Sequence, residues 1–378
     1  MTLYLDAAAT TAMRREALEA MWPYLTGEFG NPSSHHTLGE RAAAGLRGAR
    51  RQVAAVLGCR ASEVTFTSGG TEGDNVAIKG LALANPRGRH LVTAATEHEA
   101  VLESVDYLRR VHGFEVSMAA VTGEGVVTPE ALRAVLREDS TLVSIALANN
   151  EIGTVQDIAA LAEVAHAAGA LVHTDAVQAA GWLSLDVGAL GVDALSLSGH
   201  KVGAGKGIGA VFLRGRLPVE PVLHGGGQER NRRSGTENVP AAVALGVALS
   251  LAESARAAQV ERVGEAMAAF TARVLELVPT AVLTGAPESR LPNHASFCFP
   301  GVSGEAVLVE LERRGVISSS GSACAAGSDE PSHVLLACGI APEVAQTSVR
   351  FTAGADVDEV ELTGAADLVA DAVGTLVT

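Results

Sequence analysis

Apolar and polar positions along this chain follow two alternating periods. Short β-rich runs read as strands: EVTFTS (63–68), HLVTA (90–94), TLVSIAL (141–147), ALVHTD (170–175) and DALSLS (193–198). Helical patterns lie between them. TEGDNVAIKGLALA follows the first run, HEAVLESVDYLRRV the second, and DIAALAEVAHAAG separates the third from the fourth. Strands that alternate with helices predict a mostly parallel sheet covered on both faces. Ligands of such sheets sit beyond the C-terminal strand ends. Thr71, His98, Asn150, Asp175 and His200 all fall at those ends.

From Asn238 to about Leu277 the pattern is helical and Ala-rich, as expected of a connection between domains. After Pro292 the texture changes. HASFCFP (294–300) alternates like a strand, GEAVLVELERRG (304–315) is helical, VRFTAG (349–354) is a strand and the end is helical again. This predicts a second, smaller α+β domain. No internal repeat or low-complexity linker interrupts the chain.

Composition narrows the classes. Of 378 residues, 48% are hydrophobic and 19% charged, so a large packed core is available and disorder is disfavoured. The net charge of −15 argues against nucleic acid or an anionic membrane as the main partner. Cys59, Cys298, Cys324 and Cys338 are far apart and form no CxxC pair. Neither a disulfide framework nor a thiolate metal cage is predicted, and a reducing compartment fits. The N-terminus lacks the basic start and apolar core of a secretory signal. The longest apolar stretch, 239–252, is short of a membrane span. A soluble cytoplasmic protein is expected.

The stretch SGHKVGAGKGIG (198–209) then poses a chemical question. A P-loop needs Ser or Thr after its lysine, and Lys206 is followed by Gly207. GKGIGA (205–210) matches a dinucleotide fingerprint by letter, but the following GAVFLRG is β-like where that motif must open a helix. A plain turn leaves unexplained why Ser198, His200 and Lys201 close an apolar strand. A lysine desolvated at a strand end becomes a nucleophile toward a carbonyl. A Schiff-base lysine implies pyridoxal phosphate (PLP). That cofactor needs a carboxylate for its pyridinium nitrogen, and Asp175 closes ALVHTD. It also needs a phosphate cup, and SGGTE (68–72) joins a strand to a helix N-terminus, with Thr71 in place. His98, at the next strand-to-helix turn, is suited to stack on the ring. Each residue alone is more often structural; their joint occurrence at successive strand ends carries the reading.

The chain resembles the cysteine desulfurases of the NifS/IscS-like branch, class V aminotransferases of PLP fold type I. The resemblance spans nearly the whole length. It rests on YLDAAATT (4–11), GNPSSHH (30–36), FTSGGTEGDN (66–75), TEHEAV (96–101), ANNEIGTVQ (148–156), HTDAVQAAG (173–181), SLSGHKVGAGKGIGA (196–210), GGGQERNRRSGTEN (225–238), ISSSGSAC (317–324) and SVRFTAG (348–354), in family order. It implies an α/β fold with a mostly parallel seven-stranded sheet in a large domain, residues 15–255. Residues 1–14 with 256–378 would form a small domain carrying the catalytic cysteine loop. By the resemblance Lys201 holds PLP as an aldimine, His98 stacks on it, and Asp175 binds its ring nitrogen. Asn150 and Gln178 lie near the ring oxygen, and Gly70, Thr71, Ser198 and His200 hold the phosphate. Thr236 would reach the phosphate of a neighbouring subunit, which makes a homodimer obligatory. Arg350 and Asn31 would hold the substrate carboxylate, for which an Arg fork is suited.

The chain departs from the family pattern at four places. Gly70 stands where Ala is usual, Gly199 and Gly205 where a bulkier residue and Pro are more frequent, and Asn231 where Gly is usual. Added glycine is expected to loosen the cofactor loop.

Of the four thiols, Cys59, Cys298 and Cys338 sit in apolar contexts that suit buried small hydrophobes. Cys324 lies in SSSGSACAAGSDEP, whose small polar residues suit a mobile loop. The resemblance agrees that Cys324 is the nucleophile. The expected reaction converts L-cysteine to L-alanine. Sulfur leaves as a persulfide on Cys324 for acceptor proteins, an iron–sulfur scaffold or a tRNA-thiolation enzyme among them. Same-fold rivals are an aminotransferase, a β-lyase or a selenocysteine lyase; a sulfur-relay scaffold with a dead site is the rival of another class. Cys324 separates the chain from the first group, and intact Lys201, Asp175 and His98 from the second.

Overall fold

The computed structural model describes residues 2–85, 87–215, 217–321 and 330–377. A short strand β1 (Leu3–Tyr4) precedes the main sheet. That sheet comprises β2 (Val64–Thr67), β3 (His90–Ala94), β4 (Glu115–Ala119), β5 (Ser140–Ser144), β6 (Leu171–Asp175), β7 (Ala194–Ser198) and β8 (Gly209–Leu213). Its order is β2-β8-β7-β6-β5-β3-β4, and only β8 runs against its neighbours. The mostly parallel, seven-stranded α/β sheet is the one expected. Strand β4 has no counterpart in the strand pattern of the sequence. It is an edge strand with Met118 and Glu115 exposed, so neither a continuous apolar run nor clean alternation marks it.

Beyond the sheet follow β9 (Val282–Leu283), β10 (His294–Cys298), β11 (Val316–Ile317) and β12 (Ser348–Thr352). β12, β10 and β9 form a three-stranded antiparallel sheet, and β11 pairs with β1. The first residues of the chain therefore join the C-terminal part. Among the described residues the buried apolar side chains form four clusters, and the two largest are the cores of the two parts. One packs Phe66, Val143, Leu195 and Phe212 under the large sheet. The other gathers Phe270, Phe297, Phe299 and Phe351, with Phe270 and Phe351 ring centroids 5.2 Å apart.

The helix Val239–Leu277 is 39 residues long and serves both cores. Leu245, Ala248 and Leu249 enter the first; Val263, Met267, Phe270 and Val274 enter the second. It is long and apolar enough to cross a membrane by composition, and its two buried faces account for that composition.

The glycine-rich stretch is not loose. Gly203, Gly205 and Gly207 adopt φ of +82°, +84° and +84°, the left-handed region that glycine reaches without steric cost. Proline, with φ locked near −65°, has no place at 205. At Gly199 a Cβ would lie 2.6 Å from Ile208 Cγ2 and 3.0 Å from Ile208 O. At Gly70 it would lie 2.6 Å from Val177 Cγ2. These glycines permit close approach, which corrects the expectation that they loosen the loop. Asn231 has φ +63°, a value that Asn tolerates better than most side chains. Gly199→Ala is expected to lower stability by about 1–3 kcal/mol through overpacking. A loose loop would instead gain about 0.4–1 kcal/mol from the same change. Chemical denaturation of the two proteins decides between these signs.

Candidate active site

The strand ends enclose a cavity of about 490 Å³. Ser68–Thr71 reach it from the end of β2, His98 from the β3 turn, Asn150 from the segment after β5, and Asp175 and Gln178 from β6. Ser198, His200 and Lys201 come from β7, and Arg350 from β12 of the second core. Ten expected residues thus share one space: Gly70, Thr71, His98, Asn150, Asp175, Gln178, Ser198, His200, Lys201 and Arg350. Two do not line it. Asn31 is exposed, its Oδ1 accepting from Ser33 N–H at 2.9 Å, and Thr236 is exposed. Cys324 lies outside the described residues.

Lys201 Nζ donates to the carbonyls of Ala8 and Ala9, the latter at 2.8 Å. Gln178 Nε2 donates to the same Ala8 carbonyl at 3.1 Å. The N-terminal AAATT segment therefore forms one wall. Thr11 Oγ1 donates to the His200 carbonyl at 2.8 Å, and Thr10 Oγ1 lies 3.1 Å from His200 Nδ1. Burial, aided by Lys201 and Lys206, pushes His200 down to about 4 and keeps it neutral near pH 7. The helix Gly70–Ala84 begins inside the cavity, so its free N–H groups and Thr71 offer an anion site. His98 caps the helix Glu99–His112, its Nδ1 accepting from Ala100 N–H at 3.0 Å, which fixes the ring at the mouth.

Asp175 and Asp74 line the cavity, and Glu97 is buried behind it. Burial pushes Asp175 up, against the pull of His98 and Lys201. Burial, with some repulsion from Asp175, pushes Glu97 up to about 8 and Asp74 well above the usual carboxylate range. Three such groups in so little water cannot all ionise. Burial disfavours charge on all three, and only for Asp175 is that offset by His98 and Lys201. Asp74 Oδ1 is buried without a hydrogen bond, 3.6 Å from His173 Nε2. His173 is itself pushed down to about 3 by burial, with its ring nitrogens 2.9 Å from the hydroxyls of Ser144 and Ser196.

Arg350 is 2% exposed. Its Nη1 donates to Asn150 O at 2.9 Å and Nη2 to Asp6 Oδ1 at 2.8 Å, while Nε is buried without a partner. The Arg350 backbone pairs with Ser319 through bonds of 2.7 and 3.2 Å. Asp6, Asp74 and Glu97 were missed in the sequence. The signal existed for the last two, each a carboxyl within an apolar, helix-opening context. Asp6 gave none, since its partner lies 344 positions away.

The donor set has a definite chemistry. A helix N-terminus asks for an anion, a desolvated Asp175 asks for a cation, and Lys201 offers an amine to a carbonyl. PLP carries all three complements, and the residues present fit it.

The class-V aminotransferase family model matches residues 3–362. The cysteine desulfurase IscS of Dictyoglomus turgidum is 44% identical over 353 residues, 93% of this chain and 89% of that protein. A cysteine desulfurase of Cereibacter sphaeroides is 44% identical over 94% of this chain and 93% of its own length. The solved structure of a NifS-like protein superposes over 100% of both chains with TM-score 0.92 at 34% identity. DndA from Streptomyces lividans superposes with TM-score 0.77 at 36% identity, over 92% of this chain and 99% of that one. Matched along nearly its whole length, the chain belongs to the class-V aminotransferases and, among them, to the cysteine desulfurases.

Proposed function

We propose that this chain withdraws sulfur from L-cysteine, releases L-alanine and passes the sulfur, as a persulfide on Cys324, to an acceptor protein. The carrying observation is the convergence of Lys201, Asp175, His98 and the Ser68–Thr71 turn on one cavity, in a chain whose relatives are named cysteine desulfurases. An iron–sulfur scaffold or a tRNA-thiolation enzyme in the cytoplasm is the acceptor class in view. A large unit, 15–255, and a small unit, 1–14 with 256–378, are the division that the two cores support.

Lys201 would hold PLP covalently, Asp175 would pair with its ring nitrogen, and His98 would stack on the ring. Asn150 and Gln178 would lie at the ring oxygen. The Gly70 and Thr71 N–H groups, with Ser198 and His200, would take the phosphate. When bound, the cofactor supplies the electron sink that weakens the bond between carbon and sulfur. Arg350 receives the substrate carboxylate. Lys201 takes the proton from the substrate α-carbon, and His98 serves as acid–base partner at sulfur. The Cys324 thiolate then attacks that sulfur: an S–S bond forms and the C–S bond breaks. Its electron pair goes to the carbon fragment, which gains a proton. The sum is L-cysteine plus a thiol giving L-alanine plus a persulfide.

The other thiols are poor candidates for this attack. Burial is the main cause that pushes Cys59 up to about 12, and Cys298 and Cys338 up to about 11. At pH 7 a thiol near 11 is thiolate in roughly one molecule of ten thousand. Ser319 pairs with Arg350, and Ser332 Oγ donates to Glu151 Oε2 at 2.5 Å, beside Asn150. One flank of the Cys324 segment is therefore tied to a residue of the cavity wall and the other to the chain neighbour of one.

A homodimer completes the reading. Thr236 is exposed and lines no part of its own cavity, as suits a residue that serves a neighbour. Leu18, Trp22 and Leu25 on the helix Arg15–Thr26, with Phe29 just beyond its end, expose an apolar surface that a second copy would cover.

Lys201→Ala should abolish turnover and the visible absorption of lysine-bound cofactor while leaving the circular dichroism spectrum unchanged. Retained colour and turnover would sink the assignment. Cys324→Ala should keep the colour and still respond spectrally to L-cysteine, yet lose sulfide and persulfide formation by orders of magnitude. Mass spectrometry after one turnover should find the added sulfur on the Cys324 peptide; sulfur on another cysteine overturns the mechanism. Iodoacetamide at pH 7 should leave Cys59, Cys298 and Cys338 largely unmodified in the folded protein. Their labelling should rise as pH climbs toward 10, because the reactive thiolate appears only there; peptide mapping of the four thiols checks this.

A further inference from the structure

The segment that leads to Thr236 is built against local preference. Among the described residues, three non-glycine residues have positive φ, and they are consecutive: Glu229 at 47°, Arg230 at 58° and Asn231 at 63°. A left-handed turn of L-residues persists only where its surroundings impose it. Here the imposing contact is a buried, two-pronged ion pair. Arg50 Nη1 and Nη2 reach the two Glu229 carboxylate oxygens at 2.6 Å each. The side chains are 10% and 1% exposed. Phe66 N–H donates to Glu229 Oε2 at 3.1 Å, and Arg50 Nη1 donates to Val64 O at 2.7 Å. Arg230 also donates to Val64 O, and Arg233 Nε pairs with Glu72 Oε1 at 2.8 Å. The turn is thus bolted to β2, the strand that runs into the Ser68–Thr71 cup, and Arg233 bolts its exit to that cup's own helix.

We infer that Glu229, through Arg50, is a positioning residue for the neighbouring subunit's cofactor site: it holds the left-handed turn and so aims Thr236 out of its own subunit. The inference rests on the reading that Thr236 serves the neighbour. The rival assigns Glu229 to its own subunit, where it would merely steady β2 and the cup. Direction of action separates the two. In the first case a Glu229 defect appears in the partner's site, in the second in the site of the same chain.

Hybrid dimers with one live site test this. They are prepared with two affinity tags, one subunit of each carrying Lys201→Ala. Visible absorption then reports lysine-bound PLP in the live site alone, and PLP titration of the apo-dimer gives its affinity. With Glu229→Gln on the Lys201-intact subunit, cofactor affinity should equal that of a hybrid carrying Lys201→Ala alone. With Glu229→Gln on the same chain as Lys201→Ala, affinity in the live site should fall by about tenfold or more, as expected when a hydrogen bond to a charged group is lost. The opposite pattern, or equal loss in both hybrids, overturns the inference. Asn231→Val leaves the ion pair whole and opposes the left-handed φ, so it must show the same crossed pattern. It decides alone if the Glu229→Gln chains do not assemble, because removing one partner of a buried pair strands the other charge. Thr236→Ala in the same two hybrids isolates the underlying reading. If its defect does not cross the interface, the shared site fails. If its defect crosses and the Glu229 and Asn231 defects do not, only the positioning role fails.

Discussion

A carboxylate taken out of water must find a cation, and this site is arranged around that demand. Asp175 ends β6 at the floor of the cavity, and burial raises its proton affinity. In the same dry region burial also pushes up Glu97 and Asp74, so a charge on Asp175 is costly. Lys201 and His98 moderate it from across the cavity. A protonated pyridine nitrogen placed there would be both bound and kept protonated. The protonation that would make PLP an electron sink would thus come from the contact with Asp175, strengthened by the dry surroundings.

The rest of the fold delivers groups to that point. Parallel strands bring their C-terminal ends to one edge, and each end contributes one piece. The β2 end gives a helix N-terminus, the β3 turn a histidine, β6 the carboxylate and β7 the lysine. The substrate side comes from elsewhere. Arg350 stands on β12 of the second core and meets Asp6, which belongs to the first residues of the chain. Asp6 neutralises much of its charge and fixes its fork. A substrate carboxylate would therefore be read for its position more than simply attracted. The long helix Val239–Leu277, shared by both cores, ties this arm to the sheet.

Much of this was legible in the chain. The strands buried on both faces stood out as apolar runs, and the strand-end residues Thr71, His98, Asp175 and Lys201 followed from topology before any resemblance was invoked. What was illegible had physical causes. Strand β4 lies at an edge, where side chains escape the demand for burial. The glycines of 199–207 read as looseness, because sequence cannot tell a glycine that is free from one that is crowded or left-handed. Asp6 and the Arg50–Glu229 pair depend on contacts across 344 and 179 positions, and no local period encodes those. Asn31 and Thr236 fall outside the cavity of a single chain. For Thr236, the role proposed above is one that a single chain cannot display.

The same logic of placement bears on how sulfur leaves. A persulfide made inside a dry cavity is useless unless its carrier can present it outside, yet attack requires the carrier to enter. The described flanks satisfy the first half of that requirement. Ser319 is paired to Arg350, and Gly321 sits so close to Glu151 that a Cβ there would lie 3.3 Å from its carboxylate. On the far side Ser332 is held by Glu151. Both anchors converge on one carboxyl that burial pushes toward its protonated form. The described flanks on either side of the Cys324 segment are thus held at one place, and the sequence between them, SACAAGSD, is small and polar and offers little to bury. A nucleophile fixed in the core, such as Cys298, could be placed as near, but its proton would be held more tightly and its product would have no way out.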